Sequence, residues 1–280
     1  MTVNGRRVLI TGAGGSLGAS LALAFARRAC PLILCDIDGA ALAQTTAGLP
    51  RTSTPPRCVE LDVSREPQVE ALFDQLRAEQ AAPDIVVNNA ALSLYGHFLD
   101  VPTAAWRRLF DVNVNGALYV TRYALPLMVA KGVGHVAFIS SLSGLCASAG
   151  LNVYAASKHA LHGFAESLYL ELQPKGVGVS LVCPSTLRSD IATRMGIHLG
   201  ATASTEEVDA WRARRVQRHR ERGLSCNHVA AQCLRAVQRG RFLTLVGAEA
   251  RLGYAAKRIL GRWYWTLIAG IMRRPSAMPP

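Results

Sequence analysis

The chain has 280 residues, half of them hydrophobic, with 31 Lys+Arg against 19 Asp+Glu and a formal net charge of +12. That length can bury a full core as one domain or a small pair, and no linker-like composition break or internal repeat divides it. The basic residues form no nucleic-acid reading module, which excludes that class of partner, and the seven cysteines (30, 35, 58, 146, 183, 226, 233) make no Cys-x-x-Cys pair or Cys/His cluster, so no metal site is expected.

In chain order, Arg7-Val8-Leu9-Ile10 predicts a buried strand. It begins within about six residues of Met1, leaving no room for a signal peptide. It runs into Thr11-Gly12-Ala13-Gly14-Gly15-Ser16-Leu17-Gly18 and a helical pattern through Leu21, Phe25 and Arg28. Strand, glycine-rich turn and helix in that order let backbone N–H groups approach a pyrophosphate at the positive helix N-terminus. The plainer alternative is a tight βα turn. A second apolar run, Leu32 to Cys35, ends in Asp36, 18 residues after Gly18. A carboxylate there accepts hydrogen bonds from the adenosine ribose hydroxyls and repels a 2′-phosphate. Ile37 and Asp38 follow, with no arginine to welcome that phosphate, so NAD is favoured over NADP. The alternative is a solvated strand-end aspartate.

After the loop at Thr54-Pro55-Pro56, further strands are predicted at Cys58–Leu61, Asp84–Val87, His135–Ile139 and Val177–Val182. Amphipathic stretches such as Val69, Leu72, Phe73 and Leu76 lie between them. This alternation predicts an α/β fold with a doubly wound parallel β-sheet flanked by helices. Tyr154-Ala155-Ala156-Ser157-Lys158 sets a phenol and an ammonium one turn apart on one helix face. A free phenol, with a pKa near ~10, is a poor base at neutral pH. A neighbouring ammonium favours the phenolate. Lowering the pKa by ~3 units takes roughly 4 kcal/mol, feasible if a cationic nicotinamide ring helps. The pair then transfers protons near pH 7, although the spacing also arises by chance.

Residues 211–222 read Trp-Arg-Ala-Arg-Arg-Val-Gln-Arg-His-Arg-Glu-Arg, partly balanced by Glu206, Glu207, Asp209 and Glu221. This is either a solvated helix face or a docking patch for an anionic carrier such as coenzyme A or acyl carrier protein. From Arg251 onward there are six basic residues and no acidic one. Leu252, Ala256, Ile259, Trp263, Leu267 and Ile271 recur at helical spacing, and Arg273-Arg274 closes the segment. A helix from about Leu252 to Met272 is predicted. Its longest uncharged run, ten residues from Trp263, is too short to span a bilayer. It packs on the body or a second subunit, or lies weakly on a membrane surface. The chain is thus divided into residues 1–250 and a basic, aromatic extension at 251–280.

Together these motifs resemble the short-chain dehydrogenase/reductase family. Residues 11–18 are similar to its Thr-Gly-x-x-x-Gly-x-Gly, with Ser16 in place of the middle glycine. Asn88-Asn89-Ala90-Ala91 is similar to its Asn-Asn-Ala-Gly, and Pro184-Ser185 to its Pro-Gly turn. Asp62-Val63 matches the pair flanking the adenine, and Ser189 the residue that contacts the nicotinamide amide. Asn113, and Ser141 thirteen residues before Tyr154, match its remaining catalytic positions. The resemblance covers about residues 5–245 and implies one Rossmann-type domain. It implies Asn113, Ser141, Tyr154 and Lys158 as catalytic residues. It implies Gly12, Gly14, Ser16, Leu17, Gly18, Asp36, Asp62, Val63, Asn89, Ala90, Tyr154, Lys158, Pro184 and Ser189 as cofactor contacts.

The implied activity is NAD-dependent interconversion of a secondary alcohol and its ketone. Tyr154 takes the hydroxyl proton, Ser141 hydrogen-bonds the same oxygen, Lys158 holds the ribose and lowers the tyrosine pKa, and Asn113 holds a water linking Lys158 to solvent. The loops after Asn89, Ser141 and Pro184 are mostly apolar, with only Arg188 or Arg194 as a potential clamp. A lipid, steroid or terpenoid-like substrate fits such a lining. One alternative is a carrier-linked 3-oxoacyl reductase using NADPH, against which Asp36 argues. Another is a non-catalytic nucleotide-binding regulator, which would not need the four catalytic positions. The resemblance also implies a homo-oligomer built on helices around 103–130 and 152–173. There Ala156, Ala160, Phe164, Leu168 and Leu172 form a stripe that core burial explains as well. The scattered thiols suit a reducing, cytoplasmic setting.

Overall fold

The computed structural model describes residues 1–51, 54–200 and 202–272. The chain opens with β1 (Val8–Thr11), α1 (Ser16–Ala26), β2 (Leu32–Asp36), α2 (Gly39–Ala47), β3 (Arg57–Glu60), α3 (Glu66–Ala78) and β4 (Ile85–Asn88). A short β5 (Leu94–Gly96) and α4 (Thr103–Phe110) follow, then a wide π turn at Asp111–Asn115, α5 (Gly116–Lys131) and β6 (Gly134–Ile139). Next come α6 (Asn152–Leu172), β7 (Val177–Pro184), β8 (Leu187–Arg188), β9 (Gly196–His198) and α7 (Thr205–Arg222). The chain continues through β10 (Leu224–Ser225), α8 (Cys226–Arg239), β11 (Leu243–Val246), α9 (Ala248–Leu260) and α10 (Trp263–Met272).

Seven strands form one parallel sheet in the order β11-β7-β6-β4-β1-β2-β3. The strand order reverses between β1 and β4, so the crevice beyond their carboxyl ends is where an open α/β sheet takes a ligand. Both faces are covered, which is why β1, β2, β4 and β6 are buried along their whole length rather than on alternate residues. One face packs Leu21, Phe25, Val229, Cys233 and Val237 of α1 and α8 against the sheet. The other packs Phe73 of α3, Val120 of α5 and Leu161 of α6 around Phe138. Fully burying a side chain such as Phe25, Phe73 or Phe138 is worth about 1.5–3 kcal/mol each. All seven cysteines are free thiols and five are buried.

One expectation needs revision. The C-terminal segment is not one helix: Gly261, at φ 50° and ψ −121°, breaks it into α9 and α10. Arg273 and Arg274 lie outside the described residues. The apolar stripe of α6 is divided: Leu168 and Leu172 are in the core and Phe164 meets Phe138 edge to face at 5.7 Å, whereas Ala160 is exposed. Among the described residues no helix is long and apolar enough to cross a membrane.

Candidate active site

The site begins at the turn between β1 and α1. Gly12 adopts φ +64°, and a Cβ there would lie 2.8 Å from the Ala90 backbone. A Cβ on Gly18 would lie 2.0 Å from the Gly12 carbonyl oxygen, so only glycine lets α1 start this close to the strand. Helix α1 has neither a side-chain N-cap nor an acidic residue in its first turn. Its leading N–H groups are therefore open to an anion. The carboxylate of Asp190, which lies in the short turn after β8, takes that place: its Oδ1 accepts from the Ser16 N–H at 3.1 Å and from the Ser16 hydroxyl at 2.7 Å. Burial raises the Asp190 pKa, but these two hydrogen bonds and Arg194 outweigh it and hold the group below the usual carboxylate range. The Ser16 donors at the start of α1 are thus satisfied by a carboxylate of the chain itself.

Asp36, at the carboxyl end of β2, accepts the Gly14 N–H at 2.8 Å and the Asp38 N–H at 3.1 Å. The tips of β1 and β4 are stitched together by Asn89, whose Nδ2 donates to the carbonyls of Thr11 and Gly12 at 3.0 Å each. Asp62 is held below its ordinary pKa; burial opposes this, while Ser64 and Arg108 bring it about. The Ser189 hydroxyl is buried without a hydrogen-bond partner among the described residues, an orphan that a carboxamide would satisfy.

These groups line one cavity of about 560 Å³ together with Ser141, Tyr154 and Lys158. Of the residues expected at the site, all line it except Gly14 and Asn113. Gly14 sits just behind, on Asp36. Asn113, in the π turn, exchanges hydrogen bonds with the Leu92 backbone at 2.7 and 3.0 Å and donates to the Ser157 hydroxyl at 3.1 Å. Its side chain thereby ties the loop after β4 to α6.

Tyr154 and Lys158 project from α6 as the four-residue spacing requires, with Nζ 5.7 Å from the ring centre. Lys158 donates to the Ile139 carbonyl at 3.0 Å. Burial dominates both groups. It pushes Tyr154 up to about 12, opposed by a hydrogen bond from Ser141, and drives Lys158 down to about 8. In the chain alone the lysine therefore does not make the tyrosine a base at neutral pH; the shift needs a further positive charge beside the phenol. Behind them, His162 bonds the Ser140 hydroxyl at 2.9 Å and is kept neutral by burial.

The structure brings to the site residues that the sequence did not place there. Arg108 pairs with Asp62 at 3.3 Å beside the expected adenine position. Arg215 and His219 of α7, and Tyr264 and Ile268 of α10, also line the cavity. The spacing of Trp211, Arg215 and His219 was the available signal: it marks one inward face within a run that reads as uniformly basic.

The sequence profile described as short chain dehydrogenase matches residues 6–198, and the chain belongs to that family. It is 33% identical over 254 residues to "Probable oxidoreductase EphD" of Mycobacterium tuberculosis, covering 90% of this chain and 43% of the relative. It is 38% identical over 195 residues to "Epidermal retinol dehydrogenase 2" of Mus musculus, covering 67% of this chain and 62% of the relative. The chain therefore spans about half the length of the curated relatives it matches. A short-chain dehydrogenase/reductase from Burkholderia phymatum, solved in complex with NAD, superposes with a TM-score of 0.83 at 27% identity, covering 100% of this chain and 99% of that one. Structural relatives have also been solved with NADPH, so the nicotinamide coenzyme is common to them and the ribose phosphate is not.

Proposed function

We propose that the chain is an NAD-dependent oxidoreductase that interconverts a hydrophobic secondary alcohol and its ketone. The observation that carries this reading is the single cavity in which Ser141, Tyr154 and Lys158 meet the glycine-rich turn and the orphaned Ser189 hydroxyl. Gly12, Gly14, Ser16, Leu17 and Gly18 would hold the pyrophosphate, Asp36 the adenosine ribose, and Asp62 and Val63 the adenine. Asn89, Ala90, Pro184 and Ser189 would hold the nicotinamide half. Bound there, NAD would supply the hydride acceptor and a positive charge next to the phenol.

Tyr154, as phenolate, takes the hydroxyl proton of the alcohol. Ser141 donates to the same oxygen and stabilises its developing charge. Lys158 steadies the phenolate electrostatically, and Asn113 keeps the loop at Leu92 fixed against α6. Ketone reduction returns the proton from Tyr154. Support for an apolar substrate comes from Leu92, Leu142, Leu151, Met195 and Ile268 in the cavity wall and from the similarity to a retinol dehydrogenase.

The same proposal treats 1–250 as the catalytic body and 251–280 as an extension that covers the site and touches an anionic membrane surface. Ile259, Trp263, Leu267 and Ile271 are 83%, 62%, 51% and 46% exposed, and the Arg262 guanidinium sits 5.0 Å from the Trp263 ring. Aromatic and aliphatic side chains flanked by cations suit reversible interfacial binding. A cytoplasmic homo-oligomer joined through α5 and α6 completes the proposal; exposed Leu170 and Val129 lie on those helices. The test is a panel of hydrophobic secondary alcohols with NAD, followed by the absorbance of NADH. Oxidation of at least one is expected; no turnover with NAD or NADP, in either direction, contradicts the reading.

A further inference from the structure

Arg215 stands on the inner face of α7, one turn from Trp211 and one from His219. Both neighbours are buried and anchored: Trp211 lies against Tyr95 with ring centres 4.1 Å apart and the planes tilted by 33°, and the His219 Nδ1 donates to the Leu187 carbonyl at 3.1 Å. The guanidinium between them is held in the cavity wall, 5.8 Å from the Trp211 ring. Its Nε is shut off from solvent and has no hydrogen-bond partner among the described residues, and Arg215 makes no ion pair among them.

The other cations of the cavity are engaged. Arg108 pairs with Asp62 at 3.3 Å, Arg194 with Asp190 at 3.4 Å, and Lys158 donates to a backbone carbonyl. The remaining cavity carboxylate, Asp36, takes two backbone N–H groups. On α7 itself, Glu207 closes the capping box with Ser204, and Glu221 accepts from Gln217. Burial, and then the charge of Arg218, push the Arg215 pKa down, the mark of a cation short of solvent and of counter-charge. The Nε is closed to ligand as well as to solvent, so an acceptor in the cavity would meet the terminal N–H groups of the same guanidinium.

We propose that Arg215 receives a carboxylate carried by an otherwise apolar substrate. The inference rests on the oxidoreductase reading of this cavity and names the substrate class within it: a hydroxy or oxo acid with a hydrocarbon skeleton. One guanidinium presents two parallel N–H groups to one carboxylate and matches it in charge. A phosphate dianion at the same place would carry one negative charge more than the single guanidinium balances.

The experiment compares decanoate, decanol and decyl phosphate as ligands of the full chain saturated with NADH, by titration calorimetry. Wild type is expected to bind decanoate at least ~10-fold tighter than decanol, the lower end for a hydrogen bond to a charged group. Arg215→Gln should abolish that preference, Arg215→Lys should keep part of it, and neither should weaken NADH. Equal binding of decanoate and decanol by wild type overturns the proposal without reference to any variant, as does a preference unchanged in Arg215→Gln. Weakened NADH in a folded Arg215→Gln assigns the guanidinium to the coenzyme, and tighter binding of decyl phosphate than of decanoate removes the carboxylate; either result also overturns it. Failure of every alcohol in the turnover panel and of the hydroxydecanoates added to it, with decanoate still bound through Arg215, would sink the oxidoreductase reading and leave the anion site standing.

Discussion

Replacing Asp36 by alanine should largely erase the coenzyme preference, and the size of the effect follows from the contacts of the carboxylate. Asp36 is 9% exposed and faces the cavity while holding the N–H groups of Gly14 and Asp38. Hydrogen bonds from ribose hydroxyls to a charged acceptor contribute about 1.5–3 kcal/mol, so their loss raises the Kd for NADH by roughly 10- to 150-fold. Freeing the two N–H groups loosens the turn by a further ~1 kcal/mol each. In the wild type, a 2′-phosphate at hydrogen-bonding distance from the carboxylate would meet a repulsion of about 4 kcal/mol per charge pair at an effective dielectric of 20. Wild type should therefore disfavour NADPH by at least ~100-fold, and Asp36→Ala should bring the two coenzymes to within ~10-fold of each other. Asp36→Asn, which keeps an acceptor but no charge, should fall between. Fluorescence titration with NADH and NADPH measures all six constants. Tighter binding of NADPH than NADH by wild type, or no change on substitution, would refute the reasoning.

The buried histidines make the fold acid-labile. His135 and His162 are pushed from 6.5 down to about 4 by burial, so the stability of their neutral forms is complete above pH 6.5 and is lost as pH falls towards 4. At pH 5 each costs about 2 kcal/mol, which melting curves across that window should reveal as a falling Tm that His135→Phe partly flattens. A Tm constant from pH 7 to 5 would contradict the burial argument. Trp263→Ser with Leu267→Ser should reduce co-sedimentation with anionic vesicles; wild type and variant bound equally little would make α10 a packing element only. Light scattering should show a species larger than one 30.0 kDa chain, and a monomer alone would reject the oligomer.

The parts of the fold set by burial on two faces were legible. Runs such as Val8–Ile10 and Leu32–Cys35 are wholly apolar because helices cover both sides of the sheet. The edge strand β11 was not read: its four residues alternate between buried and half-buried and offer no long apolar run. Gly261 was not read as a break, because the apolar residues keep their helical spacing on either side of it. Tyr154 and Lys158 were found by spacing, but the balance between charge and burial depends on what surrounds them, and burial dominates. Arg215 was hidden among the arginines around it, which differ only in which way α7 turns them.

The central claim is that Tyr154 exchanges the proton of the substrate hydroxyl. It is tested most directly by Tyr154→Phe, assayed on whichever alcohol of the panel wild type oxidises fastest, with NADH binding measured on the same preparation. The account predicts that kcat falls by at least ~100-fold, the contribution of a positioned acid–base group, while NADH still binds. Normal turnover by the phenylalanine variant would remove Tyr154 from the chemistry and contradict the account.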